Sequence, residues 1–439
     1  MSSRRCWARY ARWPTVSEHD RARRHWLRRG AALGAGAGLG IADVPAGARD
    51  LPDSWRTPGQ GFGNYGQPVD GGPIRWMAVE PGTTGTGVSW TPLHELDGTI
   101  IPNGLHFERH HAGIPAVRTE EWRLAVEGLV DTPLSLELAA LRRLPRHSRQ
   151  AFIECAGNSN ALWRPDPVQA PVGWLHGLVS CSEWTGVTLA TLFDLVGVGR
   201  GARWLIADGL DASGMTISLP LAALPDGAMV ALFQNGEPLR AAQGHPARLV
   251  LPGLEGVAQV KWLGRLTLSD RPVLSRFDTV AYTDLQPDGS SHRFTRTMGV
   301  KSVITDPAVG RAVIGGPSGI TEVSGLAWSG TGHIVRVELT HDGGRHWSDA
   351  VLEGTPRDTA FTRFRWPWEH GRPDITADRV RPVRPVLLAS RATDSTGRVQ
   401  PGRATLIREQ GHGAYYHYNA VTAVEIGADG RVTHVHLEG

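Results

Sequence analysis

The sequence is poor in cysteine, in net charge and in long apolar runs, and each shortage excludes a class of protein. With three cysteines in 439 residues, it does not fit a disulfide-rich secreted scaffold. Its formal net charge of +3 is too small to indicate a nucleic-acid-binding surface. Because no run of ~20 apolar residues occurs, the sequence predicts no transmembrane helix.

Glycine and proline are abundant, with 54 and 30 residues, and they separate many short apolar runs. This composition favours a strand-rich protein with many turns over a helical bundle. A chain of 439 residues is also too long for one ordinary hydrophobic core, so we expect at least two domains.

Residues 1–48 have the order of an export signal. An arginine-rich segment precedes a weakly apolar, Gly/Ala-rich run and a small-residue site, Ala46-Gly47-Ala48. The pair Arg23-Arg24 is typical of twin-arginine signals, and the glycines disfavour the alternative, a basic surface helix. Since that route carries folded proteins, the pattern predicts a periplasmic protein that receives its cofactor before export. Cys6 would be removed with the signal.

The rest of the chain divides into four segments. Residues 49–100, rich in Gly, Pro and Thr, predict an irregular N-terminal extension. In residues 101–300 strand-like runs alternate with short helical ones, which indicates a mixed α/β domain. Residues 301–410 alternate apolar and polar residues between glycine turns and predict an immunoglobulin-like β-sandwich, followed by an added tail, residues 411–439. The predicted fold class is therefore α+β.

Two dipeptides predict tight hairpin turns. Asn235-Gly236 lies between strand-like residues of the mixed domain, and Asp429-Gly430 lies in the tail. The Asn-Gly pair accepts the positive φ angles that two-residue hairpin loops require.

A lone cysteine, Cys155, stands where an apolar strand runs into a small-residue turn, in the stretch FIECAGNSN (152–160). A thiol in that position could be a nucleophile, a metal ligand or a buried structural residue, and the pattern alone leaves all three open. A disulfide with Cys181 would suit an oxidising compartment, but a large domain does not need one.

Three segments carry a resemblance to a known family. In order and spacing, FERHHAGIP (107–115), ECAGN (154–158) and GHPARLVLPGLEGVAQVKWLGRLTL (244–268) resemble the sulfite oxidase family of molybdopterin enzymes. The predicted sandwich is similar to the C-terminal dimerisation domain of that family. The segments HGLVSCSEWTGV (176–187) and AYTDLQPDG (281–289) resemble its sulfane (sulfite) dehydrogenase subgroup, from the thiosulfate-oxidising Sox pathway.

The resemblance implies one molybdenum–molybdopterin cofactor per chain, with the Cys155 thiolate bound to the metal. A soft thiolate suits this metal, and coordination removes the thiol proton outright. The residues expected to bind the cofactor are Arg109, His111, Cys155, Asp211, Gln243, Arg248 and Lys261, with Ser302 as a weaker candidate. Arg109, Tyr282 and Trp184 are expected in the catalytic pocket.

Three positions depart from the family pattern. Gln243 stands where family sulfite oxidases have histidine, Asn160 stands where they have a substrate-binding arginine, and a second such arginine falls near Asn419. Because charge-assisted hydrogen bonds are about twice as strong as neutral ones, the loss of two guanidiniums weakens attraction for the sulfite dianion. The departures favour a less charged substrate, sulfane sulfur on a carrier protein, with Arg164 expected to replace part of the lost charge.

The expected reaction is oxidation of carrier-bound sulfane sulfur or of sulfite, by transfer of an oxygen atom that comes from water. No Cys-x-x-Cys-His haem motif occurs, so the electrons are expected to pass to a separate monoheme or diheme cytochrome c subunit. The expected assembly is a homodimer or a heterotetramer, with a sulfur-carrier protein as a further partner.

Three rival interpretations remain open on the sequence. The first keeps the fold but acts as a free-sulfite dehydrogenase or a sulfoxide reductase. The second is a cysteine hydrolase, with Cys155 as nucleophile and His110 or His176 as base. The third is a cofactor-free binding module.

Overall fold

The computed structural model describes residues 76–78, 85–285, 288–292, 297–311, 313, 320–369, 385–411 and 413–437. The predicted export signal and most of the predicted N-terminal extension lie outside these ranges. Over the described ranges, no helix has the length and apolar character needed to cross a membrane.

A small three-stranded sheet lies at the start of the described chain. It consists of β1 (Trp76–Ala78), β2 (Gly87–Ser89) and β3 (Glu108–His110), in that order. Strand β2 falls within the segment predicted to be irregular. It forms because β3 offers an antiparallel partner, with Val88 opposite Arg109, and Val88 is buried against the body.

Two larger sheets form the mixed domain. Their strands are β4 (Arg123–Gly128), β5 (Leu134–Glu137), β6 (His147–Glu154), β7 (Val179–Thr188), β8 (Trp204–Gly209), β9 (Thr216–Pro220), β10 (Met229–Gln234), β11 (Glu237–Pro238), β12 (Arg248–Val250) and β13 (Leu263–Ser269). One sheet has the order β5-β4-β13-β8-β9, with β4 and β13 parallel. The other has the order β11-β10-β7-β6, and β12 also pairs with β10.

The core of this domain lies between the two larger sheets. Leu124 and Val126 alternate along β4, and they are buried in one cluster with Leu205 of β8, Val187 of β7 and Val230 of β10. The alternation of buried and exposed residues along β4 is the period-2 pattern of a half-buried strand. At its far end β10 turns into β11 through Asn235 and Gly236, with φ angles of 47° and 83°, as predicted.

The helices are short. They are α1 (Leu138–Leu141), α2 (Val172–His176), α3 (Leu189–Val196), α4 (Arg276–Thr279) and α5 (Arg403–Gln410). Single 3-10 turns cover Asn103–Leu105, Asn160–Trp163, Leu221–Ala223, Ala241–Gln243 and Gly256–Ala258. Helix α3 begins after Thr188, whose hydroxyl accepts a hydrogen bond from the Thr191 amide at 3.1 Å, an N-cap of the usual kind.

The second domain is a β-sandwich, as the sequence pattern indicates. After a small hairpin, β14 (Asp284–Leu285) and β15 (Ser291–His292), its strands are β16 (Lys301–Asp306), β17 (Ile320–Trp328), β18 (Ile334–Thr340), β19 (Ser348–Asp349), β20 (Val351–Leu352), β21 (Thr362–Glu369), β22 (Val386–Asp394), β23 (Ala423–Ile426) and β24 (Val432–Val435). The two sheets are β16-β17-β21-β20 and β19-β18-β22-β23-β24. They enclose a common core that includes Val323 and Phe364 from one sheet and Val337 and Leu388 from the other.

The segment predicted as an added tail supplies the last two strands of this sandwich. Strand β23 pairs with β22, placing Val424 opposite Leu388, and Ile426 and Val432 are buried in the common core. The apolar residues of the segment are therefore an integral edge of the sheet, and the sandwich extends beyond residue 410. A hairpin joins β23 to β24 around Asp429-Gly430.

Buried His434 on β24 predicts that stability depends on pH. Neither ring nitrogen has a hydrogen-bond partner in the described structure, and burial lowers the pKa of His434 to about 4, with His436 adding to the effect. The unfolded chain takes up this proton near pH 6.5, so stability falls as the pH drops from about 6.5 to about 4. At pH 5 the wild type should therefore lose about 2 kcal/mol of its free energy of unfolding through this histidine, and His434→Leu should not show that loss. Urea unfolding of both proteins at pH 8 and pH 5 checks this, and equal losses would contradict it.

Candidate active site

Cys155 lies on the turn that ends β6. Its amide donates to the Leu178 carbonyl at 2.9 Å, and its carbonyl accepts from the Asn158 amide at 2.9 Å. A side chain at Gly256 would place Cβ 3.3 Å from the Cys155 Cα, so the absence of one lets the 256–258 turn pack against this strand end. Cys155 and Cys181 are both free thiols, and no disulfide joins them.

Without a bound metal, the surroundings of Cys155 favour the protonated thiol. Burial raises the pKa of the Cys155 thiol, while the charge of Arg109 and a hydrogen bond from the Gly157 amide act in the opposite direction. A metal ion at the sulfur would remove the proton without the help of a base.

Two cavities meet at Cys155, and we call them the inner and the outer cavity. The polar residues that line the inner cavity are His106, Arg109, His110, His111, Cys155, Asp211, Gln243, Arg248, Gln259, Lys261 and Tyr282. The outer cavity, of about 630 Å³, has a wall of Trp90, Trp174, Phe277, Tyr282, Tyr415 and Tyr416 together with Arg109, His111, Cys155, Asn160 and Arg276. Arg109, His111, Cys155 and Tyr282 line both cavities and therefore mark their junction.

The inner cavity brings together all seven residues expected to bind a cofactor. Three of its lining residues also keep a buried polar atom without a hydrogen-bond partner in the described structure: His106 Nε2, Asp211 Oδ1 and Arg248 Nε. Buried polar atoms are normally paired, so three unpaired ones around one cavity indicate a polar ligand there.

Arg248 is the strongest indication of what that ligand carries. Its guanidinium donates to the Gln243 carbonyl at 3.2 Å and to the Gln259 carbonyl at 3.2 Å, and it lies 5.0 Å above the Trp184 ring. No described carboxylate pairs with it, and burial lowers the pKa of Arg248 to about 9. A buried guanidinium without a counter-ion is matched by a phosphate, which accepts two parallel hydrogen bonds.

A second basic side chain of the inner cavity, Lys261, belongs to a buried hydrogen-bond network. Lys261 Nζ donates to the Arg109 and Ala242 carbonyls, each at 3.1 Å, and to His110 Nδ1 at 2.8 Å. His110 Nε2 lies 2.8 Å from Glu108 Oε2, so its proton is on Nε2. These contacts fix the end of the Lys261 side chain, and burial lowers the pKa of Lys261 well below its usual value.

The junction of the cavities is formed by a neutral pair. His111 Nε2 and the Tyr282 hydroxyl are 2.9 Å apart. Burial, followed by the charge of Arg109, lowers the pKa of His111 to about 3, and burial raises the pKa of Tyr282 well above its usual value. Both groups stay uncharged at neutral pH, so Arg109 is the charged side chain among the four that line both cavities.

Trp184 and Ser302 lie outside both cavities. Trp184 is fully buried, donates to the Ala151 carbonyl at 3.1 Å and supports the guanidinium of Arg248 from below. Ser302 forms hydrogen bonds with Ser390 at 2.8 Å and Gln400 at 2.7 Å inside the sandwich.

The positions that depart from the family pattern are also separated in space. Asn160 lines the outer cavity. Asn419 instead donates to the Val300 carbonyl at 3.1 Å and lines neither cavity. Arg164 is exposed and lines neither cavity, so it does not replace a lost charge there.

Sequence reasoning missed most of the outer cavity wall. Tyr415 and Tyr416 follow α5, Trp174 lies on α2 and Arg276 begins α4, so these three distant segments meet around one opening. The paired tyrosines were the one available signal, because adjacent aromatic residues in a polar tail need a partner surface.

The turn of Cys155 is held from behind by a buried ionic cluster. Glu154 Oε1 accepts from Lys301 Nζ at 3.1 Å and from Asn158 Nδ2 at 2.8 Å, and its Oε2 accepts from Trp328 Nε1 at 2.7 Å. Lys301 also donates to the Ser159 hydroxyl at 2.7 Å. Since Lys301 and Trp328 belong to the sandwich, the second domain anchors the turn that presents the sulfur.

The hydrolase interpretation finds no support in this arrangement. His110 uses both ring nitrogens on Lys261 and Glu108, and His176 Nδ1 is 2.8 Å from the Ser159 hydroxyl. Nor do the described residues contain a group of three or more His, Cys, Asp or Glu side chains that could hold a metal. A metal at Cys155 would therefore take its other ligands from a bound cofactor.

Comparison with known proteins identifies the class. Residues 111–277 match the family described as "Oxidoreductase molybdopterin binding domain", and residues 292–423 match "Mo-co oxidoreductase dimerisation domain". The chain is 33% identical to sulfite oxidase of Gallus gallus over 69% of its own length and 68% of that protein. It is 29% identical to mitochondrial sulfite oxidase of Mus musculus, covering 70% of this chain and 58% of that one. The chain therefore belongs to the sulfite oxidase family of molybdopterin oxidoreductases.

One solved structure matches almost the whole chain. It is the sulfane dehydrogenase SoxCD from Paracoccus pantotrophus, with a TM-score of 0.77 and 36% sequence identity over 92% of this chain and 97% of that one. This similarity extends across both domains described above.

Proposed function

We propose that the chain oxidises sulfane sulfur carried on a cysteine of a partner protein, by adding oxygen from water at a molybdenum cofactor bound to Cys155. The observation that supports this most directly is the position of the Cys155 thiol, at the junction of a polar inner cavity and a wide outer one. The likeness to a sulfane dehydrogenase over 92% of the chain adds support.

The inner cavity fits molybdopterin in its chemistry. Arg248 would bind the cofactor phosphate, and Asp211, Gln243, Lys261 and His111 would accept and donate hydrogen bonds along the pterin. When bound through Cys155, the cofactor supplies oxygen-atom transfer and accepts the two electrons that the sulfur gives up.

The residues at the junction would position the sulfur and stabilise charge on its oxygens. Arg109 is charged and lines both cavities together with Cys155, and its planar guanidinium would bind an oxyanion there. The Tyr282 hydroxyl, fixed by His111 at 2.9 Å, is the neutral donor beside it. The rings of Tyr282 and Tyr416, 5.3 Å apart, form one aromatic wall of the outer cavity next to this point.

The outer cavity suits a sulfur group on a protein arm more than free sulfite. Its volume of about 630 Å³ and its aromatic wall could receive an extended chain segment, whereas a small dianion would need a tight cationic pocket. Asn160 contributes a neutral amide to this wall. A free-sulfite dehydrogenase of the same fold is the second candidate, because Arg109 and Arg276 still attract anions.

The electrons would leave to a separate cytochrome c subunit, monoheme or diheme, in a homodimer or heterotetramer built on the dimerisation domain. The twin-arginine pattern at Arg23-Arg24 favours a periplasmic location for this complex.

Metal analysis and a two-substrate assay test the proposal. We expect about one molybdenum per chain in the matured protein, and faster reduction of cytochrome c with a persulfide-loaded carrier protein than with equal concentrations of free sulfite. Faster turnover of free sulfite would assign the protein to the second candidate. A matured protein without molybdenum would support a cofactor-free binding module. Rapid alkylation of Cys155 by iodoacetamide, in protein that hydrolyses thioesters without metal, would support the hydrolase.

A further inference from the structure

An unpaired cation, Arg276, stands on the wall of the outer cavity. It is the first residue of α4, and the Ser275 hydroxyl caps this helix by accepting from the Phe277 amide at 3.1 Å and the Asp278 amide at 3.2 Å. Phe277 is buried, with its ring 5.1 Å from the ring of His111. The backbone that carries Arg276 is therefore fixed next to the cavity junction, while its own side chain is exposed.

The charge of Arg276 has no counter-charge on that wall. Among the described residues no carboxylate lies within ion-pair distance of its guanidinium, and no Asp or Glu lines the outer cavity. Arg109 is the other guanidinium on the same wall, and the charges of both act on His111, which lies between the two cavities. An opening walled by two guanidiniums and aromatic rings carries a positive potential that an anion would occupy.

We propose that Arg276 binds the oxyanion end of a partly oxidised sulfur group, a sulfinate, sulfonate or sulfite, in the outer cavity. The inference rests on the proposed function, which forms such groups beside Cys155. A guanidinium offers two parallel N–H donors, and the oxygens of a sulfonate match them as those of a carboxylate do. Arg109 lies at the junction, so Arg276 would hold the oxidised group as it moves outward, and Asn160 could donate to a third oxygen.

The role divides binding from chemistry. Arg276 lines only the outer cavity, whereas Arg109 and Tyr282 line both cavities where they meet. Loss of Arg276 should therefore raise KM for an anionic substrate and leave kcat within about twofold. Because the side chain is exposed, the effect should shrink as ionic strength increases.

Calorimetric titration of the matured full-length protein with sulfate and with methanesulfonate tests the site without turnover. We expect Arg276→Gln to weaken both affinities by about tenfold and Arg276→Lys to recover part of the loss. Arg271→Gln is the matched control. Arg271 is an exposed arginine five residues before Arg276, and it lines neither cavity. Unchanged affinities in Arg276→Gln, or an equal loss in Arg271→Gln, would overturn the proposal.

Kinetics with two substrates locate the bound group. A rise of about tenfold in KM for free sulfite, with a smaller rise for the carrier-bound substrate, would show that Arg276 acts on the free anion. An equal rise in KM for both substrates would show that Arg276 binds the oxidised group of the free anion and of the carrier-bound substrate alike. Unchanged KM values for both substrates would contradict the proposal. If no sulfur substrate is oxidised while sulfate binding still depends on Arg276, the proposed function fails and the anion site stands.

Discussion

Cys155→Ser is expected to abolish sulfur oxidation in the matured protein while leaving most of the pterin in place. The inner cavity offers the cofactor several charged and polar contacts, including Arg248, Lys261 and Asp211, which the substitution does not touch. A serine hydroxyl is a harder ligand and stays protonated near neutral pH, so it does not replace a thiolate on a soft metal site. Turnover should fall to the level of the assay without enzyme.

Three measurements on the same sample check this expectation. Pterin fluorescence after denaturation should stay within about twofold of the wild type, because hydrogen bonds and the phosphate contact hold that part. Molybdenum should be measured in parallel, and any absorption band that arises from a thiolate–metal bond should disappear. Retained turnover in Cys155→Ser would remove the basis of the proposed function.

Cys181→Ser is the matched control. Cys181 lies on β7 opposite Phe152 and is 1% exposed, so it belongs to the core between the domains and not to either cavity. Burying a hydroxyl in place of a thiol should lower the free energy of unfolding by about 1–3 kcal/mol and leave turnover per folded molecule unchanged.

The inner cavity could be predicted from the sequence because much of it is local. Gln243, Arg248 and Lys261 come from one segment of 19 residues that folds as a turn, strand β12 and a second turn, so spacing alone brings them near each other. Cys155 is recognisable because an apolar strand ends there in small residues. The family resemblance then implies the roles that these residues are expected to have.

The outer cavity could not be predicted, because its wall comes from segments that the sequence keeps far apart. Trp174 and Tyr415 are 241 positions apart, and neither lies in a pattern that distinguishes a cavity wall from ordinary packing. Trp184 shows the converse. The sequence predicts that it faces the catalytic pocket, but it packs in a buried cluster with Ala151, Met229 and Val250, and its ring lies under the guanidinium of Arg248.

Lys301 is a second residue whose role is invisible in the sequence. It begins β16, a strand of buried residues, and its partner Glu154 lies 147 positions earlier at the end of another buried strand. A charged residue at the end of an apolar strand normally reaches solvent, but here the side chains are 1% and 2% exposed. Each charge is acceptable in the interior only because the other is 3.1 Å away.

Lys301→Met is therefore expected to lower the free energy of unfolding by about 3–5 kcal/mol, because it leaves the Glu154 carboxylate buried and unpaired. Glu154→Gln combined with Lys301→Met should recover part of this loss, since both charges are then absent. Arg118→Met is the control, because Arg118 is 65% exposed, its ion-pair partners Glu120 and Glu121 are 70% and 61% exposed, and these pairs should contribute less than about 1 kcal/mol. Urea unfolding of the four proteins measures these differences.

The same substitution should also loosen the turn that presents the sulfur. Lys301 Nζ holds the Ser159 hydroxyl at 2.7 Å and the Glu154 carboxylate at 3.1 Å, so its loss frees both sides of Cys155 at once. Iodoacetamide should then alkylate Cys155 of the cofactor-free protein several-fold faster in Lys301→Met than in the wild type, under conditions where both remain folded. Equal alkylation rates together with a large loss of stability would mean that the cluster joins the two domains without positioning the thiol. Faster alkylation would mean that the sandwich acts directly on the geometry of the site, through one ammonium group inserted behind the sulfur.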